Sequence, residues 1–180
     1  EITACGGDMM VRVAAYQEVG GFDGSIIAAE DDEFCQRLRK AGWRLIRLPH
    51  PMTRHDAAMR TFGQWWRRAV RTGHGFAQVG DMHPGYFARE RARVWVYGLV
   101  LPMLVVTGLI WFPLLAGVLT VYVMSYVKTA QGLRKSGMGT RAALHQAVFL
   151  SLSKFPNLIG MLTYRLRKRR GAAMRIIEYK

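Results

Sequence analysis

The pattern of apolar and polar positions divides the chain near residue 93. Before that point charged and apolar residues are mixed, as in a soluble domain. From Val94 to Val127 there are 34 residues without a charge. At 1.5 Å per residue a straight helix of that length runs ~51 Å, against ~30 Å for the hydrocarbon core of a bilayer. One span is too long, so the pattern predicts a hairpin of two. Pro113, after Trp111 and Phe112, falls where an interfacial turn belongs, and Lys128 can snorkel from the second leg. Arg89, Arg91 and Arg93 precede the run, while Lys128, Arg134 and Lys135 follow it. A hairpin puts both basic flanks on the cytoplasmic side, which attracts Lys and Arg. The other reading of so long an uncharged run is a buried hairpin of a soluble protein.

Residues 142–164 form a weaker apolar stretch that contains Lys154 and Pro156. Leu144, Val148, Leu152 and Phe155 recur at helical spacing, which predicts an amphipathic helix. As a third span it would carry the tail Arg165-Leu166-Arg167-Lys168-Arg169-Arg170 outside. It reads instead as lying in the cytoplasmic interface, with the tail either on anionic headgroups or solvated.

In the first 90 residues the elements are shorter. Ile2-Thr3-Ala4-Cys5 reads as a strand and Gly6-Gly7 as a tight turn. Val11 to Val19 reads as a helix stopped by Gly20-Gly21. Glu30-Asp31-Asp32-Glu33 opens the next element, Phe34, Leu38 and Ala41 follow at helical spacing, and Arg37, Arg39 and Lys40 close it before Gly42. Acids at the start and bases at the end complement a helix dipole. Trp43 to Leu48 has strand composition and stops at Pro49. Strand, helix and strand predict an α/β layer.

Charge narrows the class of partner. Lys and Arg number 26 against 12 Asp and Glu, a formal net charge of +14 among 180 residues. So basic a chain fits an anionic partner: nucleic acid, anionic lipid or a phosphorylated substrate. Nucleic acid is disfavoured, because no recognisable binding motif accompanies the charge and a long apolar run fits it poorly. Cys5 and Cys35 show no CxxC spacing, so they read as buried thiols in a reducing compartment, not a zinc site or a disulfide scaffold. The opening Glu1-Ile2-Thr3 reads as a cut or processed edge.

The acidic cluster is the sharpest chemical feature. A carboxylate at a loop–helix junction beside a cleft can act as a general base, and a second one beside it can orient an acceptor hydroxyl. Plain helix capping also explains acids in a first turn.

Taken in order, Cys5-Gly6-Gly7-Asp8-Met9-Met10-Val11-Arg12, Val19-Gly20-Gly21-Phe22-Asp23, Glu30-Asp31-Asp32-Glu33-Phe34-Cys35-Gln36-Arg37-Leu38 and Gly42-Trp43 resemble the second half of the catalytic domain in glycosyltransferase family 2. The hairpin, the basic helix and the final Ile177-Glu178-Tyr179-Lys180 also look like its membrane-bound exopolysaccharide-type members. The resemblance implies a Rossmann-like GT-A fold: residues 1–90 as the acceptor side of the catalytic domain, 91–131 as the hairpin, and 132–180 as a basic interfacial segment. It implies an inverting transferase in a bacterial inner membrane, with its catalytic part cytoplasmic. The partners would be a nucleotide-sugar donor and a saccharide or lipid-linked acceptor, as in polysaccharide or glycolipid synthesis. Asp31 would be the general base, and Glu30, Gly6, Gly7 and Asp8 would line the acceptor; Asp8 stands where the family often has Asn.

Two further positions carry implied roles. His55 would ligate the divalent metal, manganese or magnesium, that holds the nucleotide diphosphate, a role to which imidazole is suited; a lone histidine can equally be structural. Phe62-Gly63-Gln64-Trp65-Trp66-Arg67-Arg68 lies where processive members carry Gln-x-x-Arg-Trp, with the Arg-Trp order reversed. Arg67 and Arg68 suit a diphosphate and Trp66 a sugar or base; an amphipathic helix with both tryptophans at the membrane surface fits the same residues. The donor-binding half, with its Asp-x-Asp site, lies outside this sequence, so the chain alone is expected to be inactive. The alternative from a different class is a non-enzymatic, membrane-anchored basic protein that binds anionic lipid or polymer.

Overall fold

The structure, a computed structural model, describes residues 1–6, 8–48 and 59–178. Among them it is helical throughout, with no strand or sheet. This corrects the expected α/β, GT-A-like fold. The two segments read as strands share a single backbone hydrogen bond, from the Ile2 N–H to the Leu45 carbonyl at 3.0 Å. A ladder needs repeated pairs of such bonds. The reason lies at the end of the preceding helix. Gly42, at φ +89°, donates to the Arg39 carbonyl and Trp43 donates to the Leu38 carbonyl. These two bonds close a Schellman cap. They commit the first residue of the expected strand to the helix end, and its indole packs on the core.

One compact unit contains Glu1–Ala88 and Gly160–Lys180. Its first helix, α1, covers Val13–Glu18 and stops at Gly20 and Gly21, both in left-handed conformation. The second, α2, covers Glu30–Lys40 with acids in its first turn and bases in its last. Ala15, Phe34 and Leu38 bury between them, with Met9, Val11, Val19, Trp43 and Leu45 packed around. Phe22 stacks on Phe34, ring centres 4.5 Å apart. The third helix, α3, runs unbroken over Phe62–Met82. It opens on a capping box: the Gln64 N–H donates to the Thr61 hydroxyl and the Thr61 N–H donates back to the Gln64 carboxamide. Gln64, noted above for its place in a motif, therefore serves as a helix cap. Gly73, Gly75, Ala77 and Gly80 are buried along α3, between the larger buried side chains His74, Gln78 and Val79.

The other unit, Arg89–Ile159, is built from the apolar run. Helix α4 (Ala88–Trp95) passes through a π-helical turn at Val96–Val100 into α5 (Leu101–Gly108). After a turn at 109–111, α6 (Phe112–Lys135) begins with Pro113 in its first turn, where the missing N–H costs nothing. Both apolar stretches, Ala88–Gly108 and Phe112–Lys135, are long and apolar enough to cross a membrane. Only 22% and 6% of their most apolar windows are buried within the protein. A core hairpin of a soluble protein would bury far more.

The helix expected over 142–164 is two helices, α7 (Thr140–Leu152) and α8 (Lys154–Arg169). Pro156 explains the break. Its ring clashes with the carbonyl four residues earlier, which belongs to Leu152, the last residue of α7. The buried face of α7 is Ala143 and Ala147, while Leu144, Val148 and Leu152 face outward. The apolar row thus lies about 100° round the helix from the row that packs.

Candidate active site

The candidate site is the start of α2. The loop before it is fixed by α3. Gln78 grips it twice, its carboxamide N–H donating to the Ser25 carbonyl at 2.9 Å and its oxygen accepting from the Ile27 N–H at 3.5 Å. Arg71 donates to the Ile27 carbonyl at 2.8 Å. Gly75 lets Ala28 in: a Cβ there would stand 2.9 Å from the Ala28 carbonyl oxygen. Ala29 then takes a left-handed conformation, φ 60°, which is costly for a residue with a side chain. The outcome is a sharp entry into α2 with no side-chain cap on its N-terminus. The N-cap residue Ala29 offers no side-chain acceptor, and the acids of the first turn complement the helix dipole.

The four carboxylates divide into two kinds. Glu33 is buried; Arg37 donates to it through both Nε and Nη2, at 2.7–3.0 Å, and His83 Nε2 lies 3.1 Å from it. Asp32 accepts from the Tyr86 hydroxyl at 2.6 Å. Burial, and then Asp32, push the Tyr86 phenol up from its ordinary pKa. These two acids brace the helix. Glu30 and Asp31 sit half-buried at its tip. Glu30 faces the Arg71 guanidinium at 4.0 Å. Asp31 lies against the glycine turn, its Oδ2 3.6 Å from where a Gly6 Cβ would be. That turn is held by Cys5, whose Sγ is 3.9 Å from Cys35 Sγ. Burial raises the Cys35 thiol to about 11, so it is a packing thiol.

The structure sets Asp31 against Gly6, with Glu30 beside it in the first turn of α2. Asp8 is exposed on the loop that follows the glycine turn. Gly7 and His55 lie outside the described residues. Trp66, Arg67 and Arg68 occupy the first turns of α3. Trp66 joins Trp65 and Phe62 in an aromatic cluster with ring centres 5.2–6.3 Å apart. Arg67 and Arg68 precede Arg71 by four and three residues, which places all three along one side of the helix. Among the described residues no three His, Cys, Asp or Glu side chains converge to hold a metal ion.

Sequence reasoning missed Arg71, Gln78 and Gly75, the groups that set the loop. Their signal was present as a polar residue and a glycine inside an otherwise packed helical run.

A helix tip carrying two carboxylates, one beside a glycine turn and one facing an arginine, is equipped for general-base group transfer. A family model for glycosyl transferase family group 2 matches residues 2–163. The chain belongs to that family and is a glycosyltransferase. No curated protein and no solved structure matches it. Family membership displaces the non-enzymatic alternative.

Proposed function

We propose that the chain carries the acceptor side of an inverting sugar transferase that uses a nucleotide-sugar donor. The observation that carries this reading is Asp31 at the tip of α2, against Gly6 and beside an Arg71-facing Glu30. Asp31 takes the proton of an acceptor hydroxyl as that oxygen bonds to the anomeric carbon. The bond from that carbon to the diphosphate breaks on the opposite face, and the nucleoside diphosphate leaves with the electron pair. Glu30 orients the acceptor. Arg67 and Arg68 offset the charge of the diphosphate, and Trp66 stacks on sugar or base. Asp8 lines the approach. His55 would help hold a manganese or magnesium ion, which would neutralise charge on the leaving diphosphate.

The two apolar helices are proposed as membrane spans. Their basic flanks support a catalytic part on the cytoplasmic face of a bacterial inner membrane, where nucleotide sugars are made. A saccharide or lipid-linked acceptor, as in polysaccharide or glycolipid synthesis, fits that location.

The test is stereochemical. The full-length protein in membranes is given labelled nucleotide sugars, and the anomeric configuration of the first product is read by NMR. Inversion relative to the donor supports the reading, and retention overturns it.

A further inference from the structure

The unit formed by residues 89–159 contains a cavity of about 620 Å³ that sugar transfer does not use. It forms where the first apolar helix departs from regularity. A π-helical turn takes an extra residue and loosens the carbonyl ladder, often at functional positions. Within the turn at Val96–Val100 the Tyr97 carbonyl accepts from the Tyr122 hydroxyl of α6 at 2.7 Å. The two rings meet edge to face, centres 5.9 Å apart. Gly98, next in the turn, is so close to α8 that a Cβ would stand 2.7 Å from the Lys154 carbonyl oxygen. The turn and the glycine together bring Lys154 to the wall that Tyr97 and Tyr122 line.

Three cations from three helices meet at this cavity: Arg93 of α4, Lys128 of α6 and Lys154 of α8. Among the described residues no carboxylate pairs with any of them at ion-pair distance. Lys154 is half-buried, and its ammonium is held below its ordinary pKa by burial and then by Arg93, with Glu90 opposing. Arg93 and Lys128 are exposed, so the cost of unpaired charge falls chiefly on the half-buried Lys154 beside Arg93, which an anion in the cavity would relieve. Ser125, Thr129 and Ser151 add hydroxyls to the same lining. Val121 and Met124 continue the lining outward and are 40% and 52% exposed on α6.

We infer that this cavity holds the phosphate head group of an anionic membrane lipid, clasped by Arg93, Lys128 and Lys154, with the lipid chain along Val121 and Met124. The inference rests on the proposed reading of α6 as a membrane span. Lys128 ends the uncharged run, which is the depth of a headgroup. A soluble anion would have no use for the apolar strip beside it. This site is separate from the basic tail at 165–170.

The full-length protein is reconstituted in nanodiscs of phosphatidylcholine doped with phosphatidylglycerol, and retained lipid is read by native mass spectrometry. Lys128→Gln combined with Lys154→Gln is expected to weaken phosphatidylglycerol retention roughly tenfold or more. Lys128→Gln alone, at an exposed position, is expected to weaken it severalfold without touching the fold. Arg169→Gln with Arg170→Gln should leave it unchanged. Wild-type retention in the folded double variant overturns the proposal. Displacement of the lipid by equimolar inorganic phosphate would make this a soluble-anion site and overturns it as well. Release of the protein by an alkaline carbonate wash would defeat the membrane reading itself, which separates that failure from a failure of the lipid site.

Discussion

Arg71 Nε donates to the backbone carbonyl of Ile27 at 2.8 Å, so a residue of α3 holds the loop that delivers Asp31. The same guanidinium faces Glu30 at 4.0 Å. Arg71→Lys keeps the charge and loses the planar fork. With one charge-assisted bond lost, turnover is expected to fall about tenfold or more. Helicity and membrane retention should be unchanged. Wild-type kcat/KM in this variant would remove Arg71 as a positioning residue.

The Glu33–His83 contact makes a prediction about stability. Lys40 Nζ lies 2.7 Å from His83 Nδ1. An ammonium has only donors, so Nδ1 accepts and Nε2 carries the proton toward Glu33. Glu33 is 1% exposed and also holds Arg37. Glu33→Gln leaves a partly buried guanidinium without its counter-charge. The expected loss is about 3 kcal/mol, read as a lower denaturant midpoint of the solubilised protein. A midpoint equal to wild type would show that the pair is not structural.

His74 makes a prediction about pH. It is fully buried, and neither ring nitrogen has a hydrogen-bond partner among the described residues. Burial, and then Arg167, lower it to about 4 from 6.5. The folded state therefore binds this proton less readily than the unfolded chain. Stability should fall as pH drops below about 6.5 and level off near 4, by at most about 3 kcal/mol. His74→Phe keeps the edge-to-face contact with Tyr164 at 5.2 Å and should flatten that slope. An unchanged slope in the variant would assign the acid sensitivity to other groups.

Much of the local structure was legible in the sequence. Acids first, bases last and a closing Gly42 mark α2; Gly20-Gly21 stops α1; Pro113 starts α6. Each is a rule about neighbours in sequence. The misses share one cause, which is that partners distant in sequence decide the outcome. Trp43 has strand composition, but the helix end and the core claim it. The row Leu144, Val148 and Leu152 has the right period, yet small Ala143 and Ala147 allow the closer approach and take the buried face. In the site, Asp31, Glu30 and Gly6 stood out as a local constellation. Arg71 and Gln78 reach back 44–53 residues to set the loop, and no local periodicity encodes that.

Gly75 offers a substitution that acts through the loop alone. Its missing side chain accommodates the Ala28 carbonyl. Gly75→Ala must displace either α3 or the entry to α2, at a cost of about 1–3 kcal/mol. Turnover should fall by more than the small change in folded fraction accounts for. Wild-type turnover would show that the loop position is not critical.

The central claim is that Asp31 is the base. The direct measurement is nucleoside diphosphate release and sugar transfer by the full-length protein in membranes, wild type against Asp31→Asn. Removing a positioned base is expected to cost roughly 10²–10⁴-fold in turnover, with fold and membrane attachment intact. Equal turnover from both proteins would contradict the account and leave the acidic tip of α2 with a structural role only.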